Sequence, residues 1–503
     1  MAAALQRYTC TAHMKRRRSA DMSKQRPRRR SCANAPSGFR SVKELWDAVP
    51  DHEKKCGLAP TAAEMDVVDG AMTERVQGYS RAVVSCGPDQ ITLLQGGRDR
   101  LTDVLSWTIS RGWITFPWKR LYLGSRAPNM MSELRALQPS SRVDRGPGTT
   151  AMRPHNVRFH SRLLQPLVYF GGGCRPLVWR SRADDYAQMD VLVDLYQEGE
   201  RLEACRKDQS KSPMELWRTD PRFVKSVLHS ALHRTGGLSS EGIRESVYRL
   251  CRECTQFKPS LAVCVIRHLG ARRVLDISAG WGDRMAGAIA AGVDRYLGFD
   301  PNLNLRAGHE MLLDAHTDKR EERDRFRVVY ESFEDNEGVL PAEECDPDFD
   351  LVLSSPPFFD FERYTTLPGQ SADKYPHLVE WQVRFLARAM SRAWRCLRTG
   401  GHMVLHLTDV YRDQVCEPTG LLAVWLLPGC QYRGVMLSVG AAGKPRPLWV
   451  FRKGTASGVA GEAALELRVH FGPVWSEALR CQRGGMFAPG AHEVPPAPSP
   501  CAR

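Results

Sequence analysis

Two short runs carry side chains that could do chemistry. The first is Val274-Leu275-Asp276-Ile277-Ser278-Ala279-Gly280-Trp281-Gly282-Asp283-Arg284, followed later by Gly298-Phe299-Asp300. Gly280 and Gly282 permit a sharp turn and a close approach of backbone to a ligand. Asp276 and Asp283 flank that turn. Two acids would repel a pyrophosphate, but they suit a ligand with a cationic centre and an amino group. Asp300 lies 24 residues after Asp276, where a second strand should end. A carboxylate there accepts hydrogen bonds from both hydroxyls of a ribose.

The second run is Ser354-Ser355-Pro356-Pro357-Phe358-Phe359. Two prolines after an apolar strand stop helix formation and remove backbone donors. The carbonyls before them are then free to face a ligand. An amino group conjugated to a ring is a poor nucleophile, because its lone pair is delocalised. A side-chain oxygen on Ser355 and the carbonyl of Pro356 can accept its two hydrogens and localise that pair. Phe358 offers a stacking face, worth about 1–3 kcal/mol per base. Most of the rate of such a transfer comes from positioning. Asp360, Glu362 and Tyr364 follow directly. They read either as a lid, with Phe359 and Tyr364 as further substrate contacts, or as a solvated loop with one packed aromatic.

Both runs need a scaffold that presents strand ends side by side. From Phe257 to about Lys453 short β-rich segments alternate with helical ones. Strands are expected at Arg273–Ile277, Arg295–Phe299, Arg327–Tyr330, Phe349–Ser354 and Met403–Leu407. Helices are expected at Asp283–Ala291, Leu303–Ala315 and Trp381–Leu397, the last stopped by Gly400-Gly401. Tyr432–Ser438 and Leu448–Arg452 should form a final antiparallel pair, with Lys444-Pro445-Arg446-Pro447 as its hairpin tip. Alternation of this kind means a mainly parallel sheet covered on both faces. Ligands in such folds bind at the carboxyl ends of the strands.

Taken together, these residues resemble class I S-adenosylmethionine-dependent amino-methyltransferases. Asp276 to Gly282 with Gly298-Phe299-Asp300 is similar to their first two motifs, and Ser355-Pro356-Pro357-Phe358 to their (Asp/Asn/Ser)-Pro-Pro-(Tyr/Phe/Trp) motif. Phe257-Lys258-Pro259 is similar to the extra motif that DNA enzymes of this group place beside the cofactor. The longer string, with Asp360, Glu362 and Tyr364, looks most like phage- and virus-type DNA N6-adenine and N4-cytosine methylases. The resemblance implies an α/β, Rossmann-like domain with a mainly parallel seven-stranded sheet, and S-adenosyl-L-methionine as cofactor. It implies a cofactor site of Phe257, Asp276, Ser278, Gly280, Gly282, Asp300, Ser332 and Phe333. Asp276, Gly280 and Gly282 would line the methionine side, Asp300 would take the ribose, and 331–335 would meet the adenine. Ser355, Pro356, Pro357 and Phe358 would form the catalytic loop. The implied partner is nucleic acid, DNA favoured over RNA, with the base flipped out or single-stranded. Serine at 355 is commoner in the cytosine group, so the base stays open. A protein glutamine amide is a rival acceptor, and a non-catalytic nucleic-acid-binding module a further one.

The rest of the chain bounds this reading. Of 503 residues 25% are charged and 42% hydrophobic, which excludes a wholly disordered or collagen-like chain. No apolar run reaches the roughly 20 residues of a membrane span, and Leu421–Pro428 reads as a buried segment. Residues 1–43 hold twelve Lys/Arg against one acid, +11 of the net +14, so the body is no general polycation. This stretch reads as a disordered basic tail, with Lys15–Arg18 and Arg26–Arg30 suited to nuclear import or phosphate binding. A nuclear or nucleoid location is expected, with a mitochondrial one as the alternative. An N-terminal α+β region is expected over 44–138, including Trp107, Trp113 and Trp118. A linker follows at 139–150, then a helical lead-in over 151–256, the catalytic domain over 257–455 and an extension over 456–503. Within the lead-in, Gly171–Gly173 reads as a turn, Asp184–Lys207 as a helix, and Pro213 as the first residue of another. Fifteen cysteines without a spacing framework point to free thiols in a reducing compartment. Cys251, Cys254, Cys264 and His268 read as structural rather than metal-binding, and no metal is expected. The oligomeric state is left open.

Overall fold

The structure is a computed structural model. It describes residues 102–103, 105–106, 109, 116–138, 158–165, 170–171, 175–176, 178–180, 189–235, 238–317, 320–336, 348–409, 414–439, 445–455 and 459–487. The basic clusters of 1–43, Trp107, Trp113, the 139–150 linker, Gly172, Gly173, Lys444 and 488–503 lie outside them.

The chain divides into two compact units. The described residues up to 121 together with those of 213–252 form the smaller, and the described residues of 122–212 and 253–487 the larger. The smaller unit is helical where described, with helices Pro213–Thr219, Pro221–Thr235 and Ser240–Leu250. Pro213 opens the first of them. Phe116 packs edge-on to Trp217 at 5.2 Å between centroids, and Thr102 Oγ1 meets His229 Nε2 at 3.1 Å. The helices at 213–250 therefore group with residues 102–121.

The larger unit is built on one eight-stranded sheet. Its strands are β1 (Val178–Arg180), β2 (Arg273–Asp276), β3 (Arg295–Phe299), β4 (Phe326–Val329), β5 (Phe349–Ser354), β6 (Leu397–His406), β7 (Cys430–Val439) and β8 (Pro445–Lys453). Their order is β1-β7-β8-β6-β5-β2-β3-β4. All neighbours run parallel except at β8, which is antiparallel to both β6 and β7. The seven strands expected from the sequence are present, and β1 adds an eighth at one edge. The order turns back at β2 and β5, and that pair defines the switch point where such sheets bind ligands.

Alternate residues of each strand feed opposite cores. Leu275, Leu297, Val352, Met403 and Leu405 belong to one face; Val274, Tyr296, Leu351, Leu353 and Val404 belong to the other. Burial on both sides is why these strands read as continuous apolar runs. The second face is covered by α1 (Ala127–Ala136), α2 (Asp194–Glu203), α3 (Pro259–His268), α4 (Asp283–Ala291) and α5 (Arg306–His316). The first is covered by α6 (Arg388–Cys396), α7 (Cys416–Leu426), α8 (Ala460–His470) and α9 (Gly472–Arg483). α7 contains most of the apolar stretch near residue 421 and is buried along its whole length. Trp425 on it meets Trp475 of α9 at 4.8 Å. Among the described residues no helix is long and apolar enough to cross a membrane.

Two local expectations are corrected. The helix expected from Trp381 opens with a π-helical segment, Trp381–Ala387, before α6 begins. Gly400-Gly401 does not end it. The helix stops at Cys396, and the glycine pair sits inside β6, where the register with β5 shifts between Leu397 and His402. A Cβ on Gly401 would come within 2.9 Å of the Asp350 carbonyl oxygen and 2.8 Å of Leu397 Cδ1. The strand can make this bulge because that side chain is missing.

Candidate active site

Asp276 ends β2 beneath the surface. It is fully buried and touches four groups from four places in the chain. Arg284 Nε donates to its Oδ2 at 2.7 Å, and Tyr296 OH donates to the same oxygen at 2.9 Å. Ser354 Oγ donates to Oδ1 at 2.8 Å, and the Ser278 N–H reaches it at 3.2 Å. Arg284, itself buried, also donates to the Ser278 carbonyl and lies over the Phe257 ring, 5.1 Å from its centroid. The ion pair thus fastens the loop after β2 from below. Ser354 extends the same network to the end of β5. Asp276 is not among the residues that line the cleft above it.

Gly282 is the N-cap of α4, with φ +98°. A Cβ there would sit 3.0 Å from His309 Cδ2. The left-handed backbone and the histidine ring together admit glycine. Burial pushes His309 down to about 4, so the ring is neutral near pH 7. Its Nε2–H donates to the Gly280 carbonyl at 3.0 Å, and Nδ1 accepts from Tyr330 OH at 3.1 Å. Gly282→Ala is expected to lower stability by about 1–3 kcal/mol through the backbone strain and the contact with His309. Thermal unfolding against wild type reads this.

Asp300 follows β3 at the cleft wall. It accepts from the Gly280 N–H at 2.8 Å and from the Asn302 N–H at 3.0 Å. Burial pushes its carboxyl up to about 6. Asn302 is buried beside it, and among the described residues its Nδ2 has no hydrogen-bond partner. Asp283, the first residue of α4, accepts from Gln256 Nε2 at 2.8 Å, and burial holds its carboxyl well above the usual range.

Ser355-Pro356-Pro357-Phe358-Phe359 leaves β5 next to this loop. Ser355 Oγ lies 3.2 Å from Nδ1 of His406, the last residue of β6. The His406 ring stands edge-on to Phe358 at 5.6 Å and to Phe257 at 5.8 Å. Phe359 has φ +56°, the left-handed region, which is rare for a bulky side chain. Its ring packs 5.8 Å from Trp381. Trp381 Nε1 in turn donates to Ser371 Oγ at 3.0 Å.

The segment after Phe359 forms a roof. Glu362–Arg363 pairs antiparallel with Cys205–Arg206, and Asp360 forms an ion pair with Lys207. Glu362 accepts from the Thr255 N–H at 2.8 Å and from Tyr364 OH at 2.9 Å. Tyr364 faces Trp281 at 5.9 Å. Farther along, Lys374 reaches Glu334 at 2.6 Å and Asp335 at 2.5 Å.

A cleft with about 1180 Å³ of empty space, its open mouth included, lies between these parts. It is lined by Phe257, Ser278, Gly280, Asp300, Ser332 and Phe333, and also by Ser355, Pro356, Pro357, Phe358, Phe359 and Tyr364. Both runs singled out in the sequence therefore open into one space. Gly282 and Asp276 stand behind the wall. Sequence reading passed over Asn302, His309 and His406, and of Gln256, Arg284 and Tyr296 it gave no role. His309 and His406 are single histidines on a helix and a strand, without a spacing pattern to mark them. Asn302, two residues past Asp300, carried a weak local signal. Cys251, Cys254 and Cys264 are buried free thiols. Among the described residues no group of three or more His, Cys, Asp or Glu is placed to hold a metal ion.

No protein-family model and no curated protein matches the chain. Solved structures do. TrmN from Thermus thermophilus is 14% identical, with a TM-score of 0.27 over 42% of this chain and 66% of its own. The N-methyltransferase NodS from Bradyrhizobium japonicum, solved with S-adenosyl-L-homocysteine, is 13% identical, with a TM-score of 0.26 over 38% and 85%. An rRNA methylase from Streptococcus thermophilus is 12% identical, with a TM-score of 0.26 over 40% and 99%. The chain spans just under two thirds of the length of the Thermus protein. The fold rests on the strand order itself, and likeness at this level says nothing of substrate.

Proposed function

We propose that the larger unit is an S-adenosylmethionine-dependent methyltransferase acting on the exocyclic amino group of a nucleobase, in DNA by preference, at adenine N6 or cytosine N4. One observation carries the reading. The loop after β2 and the Ser-Pro-Pro-Phe loop after β5 leave adjacent strands, share one buried carboxylate through Ser354 and Asp276, and line one cleft.

The residues present fit the cofactor. Asp300 offers carboxylate lone pairs to a diol, and the orphaned Nδ2 of buried Asn302 beside it lacks an acceptor that a ribose or purine would supply. In this reading Ser332 and Phe333, which line the cleft, would bound the adenine end, and Phe257, Ser278, Gly280 and Asp283 the methionine end. When bound, the cofactor supplies an electrophilic methyl group on a sulfonium. The chain's own residues do the rest. Ser355 Oγ and the Pro356 carbonyl accept the hydrogens of the target amine. Phe358 holds the ring, and the roof from Glu362 to Ser371 keeps water out. The amine attacks as the neutral species, so no strong general base is needed before transfer and orientation supplies most of the acceleration. The proton that methylation makes acidic then leaves along its hydrogen bond to Ser355 Oγ or the Pro356 carbonyl and out to solvent through the open mouth of the cleft. The basic residues of 1–43 would add salt-sensitive phosphate affinity.

Incubation with methyl-labelled cofactor and separate DNA, RNA and protein fractions tests the reading, followed by mass spectrometry of nucleosides. Label in methyladenine or methylcytosine of DNA is the expected result. Label in RNA would move the substrate, label in protein glutamine would replace it, and label in no fraction would overturn the enzyme reading.

Asp300 gives the site a pH dependence. Its carboxyl stands at about 6 in the folded chain against an ordinary 3.8. The folded state holds that proton after the unfolded chain has lost it, so this contribution to stability is full below about 4 and is lost as pH rises to about 6. Cofactor affinity runs the other way, because only the carboxylate accepts from both hydroxyls. The dissociation constant is expected to fall between pH 5 and pH 7 with a midpoint near 6. Calorimetry should show this in wild type and a flat, weaker profile in Asp300→Asn.

A further inference from the structure

A serine hydroxyl both donates and accepts. At position 355 that ambiguity matters. A hydroxyl proton pointing into the cleft would bind the lone pair of an incoming amine and hold it away from the electrophile. Ser354, one residue earlier, already commits its proton to Asp276. For Ser355 the partner is His406. It ends the strand next to β5, its Nδ1 is 3.2 Å from Oγ, and it is 9% exposed. Phe257 and Phe358 stand edge-on to its ring, which limits how far the imidazole can turn.

We propose that His406 takes the hydroxyl proton of Ser355 at Nδ1, so that Oγ presents only lone pairs to the cleft and the subsite selects an N–H donor over the isosteric carbonyl oxygen. This rests on the amine reading of the site given above. His406 is then a positioning residue, acting through Ser355. The required Nε2–H tautomer is the more stable form of a free imidazole, and in that form Nδ1 is left as an acceptor 3.2 Å from the Ser355 hydroxyl. Serine and histidine together present the polarity of the carboxylate or carboxamide oxygen that Asp or Asn would place here. The pair also sets specificity. Adenine and cytosine carry an amino group where hypoxanthine and uracil carry an oxygen, and an oxygen facing these lone pairs leaves both sides unpaired.

Two measurements test this on the full chain. The first is nitrogen NMR of histidine-labelled protein, which needs no substrate. His406 is expected to carry its hydrogen on Nε2, with an Nδ1 resonance that shifts in Ser355→Ala. A hydrogen on Nδ1 would overturn the proposal, whatever the protein methylates. The second compares single-stranded oligonucleotides containing adenine or cytosine with their hypoxanthine or uracil counterparts, by competition binding. Wild type should prefer the amino forms by about 10-fold. His406→Phe should lose that preference and about 100-fold in kcat, with KM and cofactor affinity changed little. His406→Asn, whose carboxamide oxygen can accept the same proton, should recover most of both. Retained preference and rate in His406→Phe would sink the proposal. Labelling of no nucleic acid by wild type would instead remove the nucleobase reading, leaving the tautomer to decide this one.

Discussion

Phe358→Ala is expected to cut turnover by roughly 100-fold or more while the dissociation constant for S-adenosylmethionine stays within about 3-fold. Pro356→Ala should do the same. Phe358 is partly buried against the core and stands edge-on to His406 rather than over the loop after β2. On the nucleobase reading its loss removes a stacking face worth about 1–3 kcal/mol per base. It also lets the acceptor ring tilt, and a displacement near 1 Å can cost about 100-fold. Pro356 acts through the backbone, because alanine restores an N–H donor next to the carbonyls that should accept from the amine. Single-turnover methyl transfer and calorimetry on the same preparations separate the two effects. Parallel loss of cofactor binding in both variants would put the Pro-Pro-Phe loop in a different role.

The largest stability effect is expected at Asp276. Asp276→Ala removes the counter-charge of buried Arg284 and the acceptor of Tyr296 and Ser354 together. Breaking a buried pair from one side costs about 3–5 kcal/mol, because the remaining charge is left unpaired. For a chain of this size the unfolding midpoint should fall by roughly 5 °C. Adding Arg284→Met to Asp276→Ala should return part of the loss, since no naked cation remains. Differential scanning calorimetry of the three variants reads this. An Asp276→Ala protein as stable as wild type, with only cofactor affinity reduced, would restore Asp276 to the ligand surface.

The sheet was legible for a physical reason. β3, β5 and α4 fall where the residue pattern places them, since a strand buried on both faces is an apolar run and a small-residue helix beginning at a glycine cap has an abrupt start. β1 was not legible, because its partner β7 lies some 250 residues away and pairing at that distance leaves no local trace. The grouping of 213–250 with 102–121 failed to show for the same reason. Residue types at the site were readable, but their directions were not. An acid at a strand end can face a ligand or lie below it. For Asp276 the choice was made by Arg284, Tyr296 and Ser354 converging from three other segments. His406 was invisible because a lone histidine in a strand gains meaning only from Ser355, 51 residues earlier.

Two identical neighbours meet at the left-handed turn of Phe359. Phe358 contacts His406 at the cleft, while Phe359 is moored against Trp381, itself anchored through Ser371. Extended backbone already sends successive side chains to opposite faces; the left-handed turn sets how Phe359 meets Trp381. A ring docking against Phe358 would meet a side chain already held between the core and His406.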